Sequence, residues 1–187
     1  MKSVYLMLTR TESIASKLVR VFTGSKYTHA SIAFDEELYH LYSSGRKKGL
    51  KMFPSGPCME GLDKGFFGRD PHTPCIVFEI PVEDEVYEKA RAEVEGFMIN
   101  NEQYKFSILG TFACKLGIEW KRKNKYFCSQ FVAEILNRSG AAKLPKAASL
   151  MRPMDCAELE GMNLVFEGNI GQLKETIRNK EKEPATV

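Results

Sequence analysis

The sequence predicts an α+β fold, an antiparallel β-sheet packed by helices, and three observations predict it. Strand-like runs crowd the chain before Glu83, helical periodicity dominates from Glu83 to Asn137, and few strand-to-helix crossovers interrupt that order. Length and composition fit one such unit. A chain of 187 residues, 43% hydrophobic and 27% charged, makes one full-sized core. The expected division is a single domain over residues 1–172 and a charged, frayed tail over 173–187.

Taken in order, Val4, Leu6 and Leu8 alternate with Tyr5 and Met7, a strand buried on both faces. Thr11 offers an N-cap to a helix carrying Ile14, Leu18, Val19 and Phe22 and stopping at Gly24. His29 to Phe34 and Leu38 to Ser44 read as two arms of a hairpin across Asp35-Glu36-Glu37. From Gly45 to Pro74 runs a stretch rich in Gly, Pro, Lys and aromatics, long enough to be a lid or an irregular packed excursion. Cys75 to Val82 is the strongest β run. Glu83 to Asn100 is helical, with Val86, Ala90, Val94 and Phe97 on one face, and Phe106 to Leu116 forms a more apolar second helix. A third helix, Phe127 to Asn137, has Gly140 as its stop. Beyond Pro145 the pattern turns irregular, with a short apolar run from Met162 to Phe166.

Composition also excludes. A net charge of +3 points to no polyanionic partner, and no stacking or recognition module for nucleic acid is present. No window approaches the roughly 18 uninterrupted apolar residues of a membrane span. Met1 to Arg10 lacks the small-residue cleavage site of a signal peptide. Five cysteines, an odd count without a C-x-x-C pair, suggest reduced thiols in a cytoplasmic protein. No cofactor or metal is expected, although Cys58, His72 and Cys75 have the chemistry of part of a zinc site.

The chemistry concentrates around Cys128. In a helix starting near Phe127 it lies in the first turn, where unpaired amides and the helix dipole favour a thiolate. Phe131, Val132 and Ile135 continue its stripe inward, and Lys121, Arg122, Lys123 and Lys125 precede it. His29 and His40 lie on the two arms of the hairpin. A two-residue turn would put both on one face and a three-residue turn on opposite faces. On one face, His29 would serve as general base and His40 as its orienter, with Tyr42 or Ser44 as alternative orienters.

The segment Tyr27-Thr28-His29-Ala30-Ser31-Ile32-Ala33-Phe34, followed later by Phe127-Cys128-Ser129-Gln130-Phe131-Val132, resembles the circularly permuted branch of the NlpC-type papain-like superfamily. There the His strand precedes the Cys helix. The nearest likenesses are the YaeF/YiiX-type permuted amidase-like proteins and, more distantly, the lecithin:retinol acyltransferase group. The resemblance covers roughly Met1 to Gly140. It implies a permuted papain-like fold, Cys128 as nucleophile, His29 as base, and a third polar residue, for which His40 is the choice.

The implied function is a cysteine hydrolase, an amidase, peptidase or lipid or thioester deacylase, working through an acyl-enzyme on Cys128. Acyltransfer and a catalytically silent binding or structural role on the same fold are the alternatives, with zinc held by Cys128, His29 and His40 a minor third. The partner expected is a small-molecule, lipid or peptide acyl substrate. Tyr27, Tyr42, Ser44 and Tyr126 are the candidate substrate contacts. Two basic groups, Arg46, Lys47, Lys48 and Lys51 and then Lys121 to Lys125, flank the site as anion collectors or solvated loops, and Phe53, Phe66 and Phe67 as pocket lining or loop anchors.

Overall fold

The structure is a computed structural model that describes residues 1–10, 25–46, 55–65 and 67–182. Its centre is a six-stranded antiparallel sheet in the order β4-β3-β2-β1-β5-β8. The strands are β1 (Lys2–Thr9), β2 (His29–Ala33), β3 (Leu41–Arg46), β4 (Ser55–Glu60), β5 (Pro74–Val82) and β8 (Asn163–Asn169). The two-residue strands β6 (Lys105–Phe106) and β7 (Lys125–Tyr126) make a separate parallel pair. The helices are α1 (Asp84–Ile99), α2 (Ile108–Lys115), α3 (Cys128–Ser139), α4 (Pro153–Cys156) and α5 (Ile170–Lys182). The expected α+β class with an antiparallel sheet is therefore found. Among the described residues, no helix is long and apolar enough to cross a membrane.

The continuous apolar pattern of β1 decides the layering. Val4, Leu6 and Leu8 turn to one face and pack with Ala30 and Ile32 of β2, Val94 and Phe97 of α1, and Phe131, Ile135 and Leu136 of α3. Tyr5 and Met7 turn to the other face, against Leu38, Leu41, Val77, Ile170 and Leu173. A strand covered on both faces loses the usual apolar-polar alternation. In α3, Phe131, Val132, Ile135 and Leu136 have no exposed surface. Each such side chain contributes on the order of 2 kcal/mol by burial, so α3 is anchored along its whole length. Gly140 ends it in the left-handed region (φ 84°) with its N–H on Asn137 O.

Three expectations are corrected. The hairpin does not close by a two-residue turn: residues 34–40 connect β2 to β3. Asp35 O accepts from Leu38 N at 3.2 Å and Asp35 Oδ1 from Tyr39 N at 2.6 Å, with Leu38 at φ 54° and buried. The stretch from Gly45 to Pro74 contains β4, paired along β3 from Leu41↔Glu60 to Arg46↔Ser55. Gly56 and Pro57 disguise it, yet Pro57 is tolerable because β4 is an edge strand. The tail is not frayed from residue 173, since α5 runs to Lys182 and buries Ile170 and Leu173 against the sheet. The helix expected from Thr11 to Gly24 lies outside the described residues.

Candidate functional site

The site forms where the start of β2 meets the start of α3. Cys128 is the first residue of α3, and the Phe127 before it is extended (φ −96°, ψ 169°) and supplies no side-chain cap. Helix α2 is built differently: Ser107 Oγ accepts from Gly110 N at 3.1 Å. A helix start without a capping side chain leaves its first N–H groups, and their partial positive charge, directed at whatever lies beside them. Here that is the Cys128 thiol, buried, with Sγ 4.0 Å from Thr28 O. The contact brings the first turn of α3 against the chain that enters His29.

His29 opens β2 opposite Thr9. Its Nε2 lies 2.9 Å from Glu60 Oε2, and the same oxygen accepts from Ser31 Oγ at 2.9 Å. Glu60 ends β4, two strands away, and the parity of the sheet carries it to His29. Gly45 shares their face and the gap between them: a Cβ added to it would lie 3.7 Å from His29 Cε1, 3.7 Å from Cys58 Sγ and 3.9 Å from Glu60 Oε1. With Nε2 held by the carboxylate, Nδ1 is the ring nitrogen left to exchange a proton with a thiol.

The electrostatics join these groups into one unit. At His29, burial alone would disfavour the imidazolium, but the Glu60 carboxylate and then Cys128 outweigh it and hold the ring well above its ordinary pKa. At Cys128, burial opposes ionisation, and the His29 imidazole, helped by the amides of Ala30 and Ser129, reverses it and holds the thiol below its ordinary value. Both shifts favour a thiolate-imidazolium pair. Burial pushes Cys75 up to about 12 and Cys114 up to about 11, and it raises Cys156 further. Those three are packing thiols.

The expected orienter His40 is not at the site. Ile32 pairs with Tyr42, so His29 projects opposite position 45 and position 40 opposite Phe34, about 16 Å along the strand at ~3.3 Å per residue. The even register also puts Tyr42 and Ser44 on the face opposite His29. His40 is exposed and lines a surface cavity with Tyr39, Leu62 and Asp63. The side chain that meets His29 Nε2 is Glu60 instead. The sequence signal for Glu60 was slight, a Cys58-Met59-Glu60 alternation behind Gly-Pro.

The candidate substrate contacts are mostly packing groups. Tyr27 is buried, with its OH 3.3 Å from Glu167 Oε1. Tyr42 packs against Phe34, and Ser44 Oγ donates to Tyr126 O at 2.8 Å. Tyr126 packs edge-on against Phe97. Phe67 is buried in the second core cluster. Lys121, Arg122 and Lys123 are exposed. Lys47, Lys48, Lys51, Phe53, Phe66 and the side chain of Arg46 lie outside the described residues. Among the described residues no three His, Cys, Asp or Glu side chains are arranged to hold a metal ion. No protein-family model matches the chain, and no curated protein matches its sequence.

Proposed function

We propose that the chain is a cysteine hydrolase or acyltransferase with Cys128 as nucleophile, His29 as acid and base, and Glu60 as the residue that positions His29. One observation carries this reading: the His29 imidazole is held between the Glu60 carboxylate and the Cys128 thiol, at a helix start with no capping side chain. The order of nucleophile, base and orienting carboxylate along the contact is the one that cysteine acyl transfer uses. The chain order, with the His strand before the Cys helix, supports the permuted papain-like form of the fold.

The steps follow from the groups. The Cys128 thiolate attacks an acyl carbonyl carbon, forming a C–S bond, and the oxyanion is met by N–H groups at the start of α3. Imidazolium His29 gives its proton to the leaving group as the old acyl bond breaks. Water or a second acceptor then gives its proton to His29 and displaces the thiolate. Thr28 Oγ1 and Ser129 Oγ, in the residues beside His29 and Cys128, are buried without a hydrogen-bond partner. They are spare polar groups where an acyl carbonyl has to be held. The substrate class is a small-molecule, lipid or peptide acyl compound, and the setting a reducing, cytoplasmic one, in keeping with free cysteines throughout.

Intact-mass analysis after exposure to a panel of activated acyl esters, acyl thioesters and acylated peptides tests this. A single acyl adduct that maps to Cys128 and is absent from Cys128→Ala is expected, with slower formation in His29→Ala. Adducts spread over several cysteines, or a Cys128 adduct indifferent to His29→Ala, would overturn the proposal.

A further inference from the structure

Six of the twelve large hydrophobic side chains exposed among the described residues fall between positions 108 and 120. They are Ile108, Leu109, Phe112, Leu116, Ile118 and Trp120, from 41% to 71% exposed. On α2 and its C-cap, positions 108, 109, 112 and 116 fall within one stripe of about 100°. The opposite side of α2 buries Gly110, Ala113 and Cys114. The helix thus packs through its small residues and presents its large apolar ones outward, the reverse of an ordinary surface helix. Scattered exposed hydrophobics need no account, but a contiguous set of this kind does.

The rim of the set is basic. Residues 108–125 contain Lys115, Lys121, Arg122, Lys123 and Lys125 against one carboxylate, Glu119, which pairs with Lys121 at 3.2 Å. Apolar side chains with an indole at their border and cations around them match an anionic lipid surface: the apolar groups enter the acyl boundary and the cations meet phosphate. A second copy fits less well. A two-fold contact through this face would set one net-positive patch against an identical one, with no surplus of carboxylates on either side to meet the cations.

We infer that α2 and residues 116–123 form a docking surface for an anionic phospholipid bilayer. The surface borders the start of α3, because Ser107 N donates to Tyr126 O at 3.1 Å and Gly110 lies against Phe127. Docking there brings the site described above to the membrane, but the inference does not rest on the catalytic reading. It concerns side chains the chemistry leaves unused.

Trp120 is the only tryptophan, so its emission reports on this surface alone. Co-sedimentation with vesicles of phosphatidylcholine, with and without phosphatidylglycerol, supplies the second readout. Binding to the anionic vesicles with a blue shift of Trp120 is expected, weakened by salt. Lys121→Glu with Lys123→Glu should lower the affinity roughly tenfold or more, and Phe112→Ser should abolish the shift. Both changes are at exposed positions, and circular dichroism checks that the fold is kept. Cys128→Ala should bind like the parent, so a failure of the catalytic proposal leaves this result standing. No sedimentation and no shift with anionic vesicles would overturn the inference. So would a concentration-dependent dimer that Phe112→Ser disrupts while vesicles have no effect, which would assign the face to a second copy.

Discussion

Two charged clusters, one reaching the start of α3 and one around α4, use similar ingredients to opposite ends. Around α4, Asp155 Oδ2 accepts from Arg152 N at 2.7 Å and Arg152 Nε at 3.1 Å and meets Lys146 Nζ at 2.7 Å, and Oδ1 accepts from Arg152 Nη2 at 3.0 Å. Every carboxylate oxygen is engaged, and no partner has a proton to exchange near neutral pH. At the start of α3, Glu60 Oε2 takes Ser31 and His29, but the series then runs on to a thiol, a group whose proton can leave. A closed clasp spends its electrostatics on holding shape. An open one keeps them available for chemistry, and the two predict different responses to the same kind of substitution.

Removing the central group of the open cluster should have the largest effect. Wild-type Cys128 is expected to be alkylated by iodoacetamide with a midpoint below that of a free thiol, whose pKa is about 8.5. In His29→Ala, burial is no longer opposed by the imidazole, and the midpoint should rise to that value or above. At pH about 6, below both midpoints, the rate should then fall, by tenfold for each unit that the midpoint rises. Peptide mapping of the alkylated residue measures it, and equal rates in the two proteins would break the comparison.

The closed cluster should answer in stability. Arg152 and Lys146 overcome burial and hold Asp155 down to about 2. A carboxylate depressed in the folded state adds stability above its unfolded pKa, and that share is lost as pH falls from roughly 4 to the folded value. Asp155→Asn should therefore cost about 2 kcal/mol near neutral pH by urea unfolding, on the scale of ~1.4 kcal/mol per pKa unit. The loss should be confined to that size because Lys146 and Arg152 both reach solvent. The deficit should shrink toward pH 2, while Cys128 alkylation stays at the parent rate. A change in alkylation as large as that of His29→Ala would mean that the clusters are one.

Glu60→Gln sharpens the contrast from the other side. It keeps an acceptor for Ser31 and His29 but removes the charge that outweighs burial at the imidazole. His29 should drop toward its ordinary pKa, the thiolate should lose part of its partner, and alkylation near neutral pH should slow, by less than in His29→Ala because the imidazole itself is kept. A variant as fast as the parent would remove Glu60 from the site.

Where the sequence was legible, local pattern and tertiary packing agreed. The apolar run of β1, the large apolar side chains Phe131, Val132, Ile135 and Leu136 of α3 and the glycine stop at Gly140 all state their structure in their own residues. The placement of Cys128 at a helix start and of His29 on a strand was legible for the same reason, each lying in a segment whose direction is set by its own periodicity. What was hidden depends on partners distant in sequence. β4 has Gly56 and Pro57 in its interior and forms only because β3 offers an edge. α5 is highly charged and holds its place through Ile170 and Leu173. Glu60 became visible only once strand register was known.

The smallest expected effect falls on His40, and its smallness is what the register argument requires. The facing of two residues on neighbouring antiparallel strands depends only on the parity of the connection. With Leu38 at positive φ and Asp35 closing the turn through Leu38 N and Tyr39 N, the connection takes Ile32 to Tyr42. Odd positions of β3 therefore share the face of His29, and position 40, even and beyond the end of β3, cannot reach it without a one-residue slip that would also turn Leu41 out of its fully buried place. His40→Ala should change stability by no more than about 0.5 kcal/mol, as exposed substitutions do, and its alkylation profile against pH should superimpose on the parent's. A midpoint displaced in His40→Ala but not in Glu60→Gln would mean that the strands pair in the other register, with the histidines facing each other and the carboxylate outside the site.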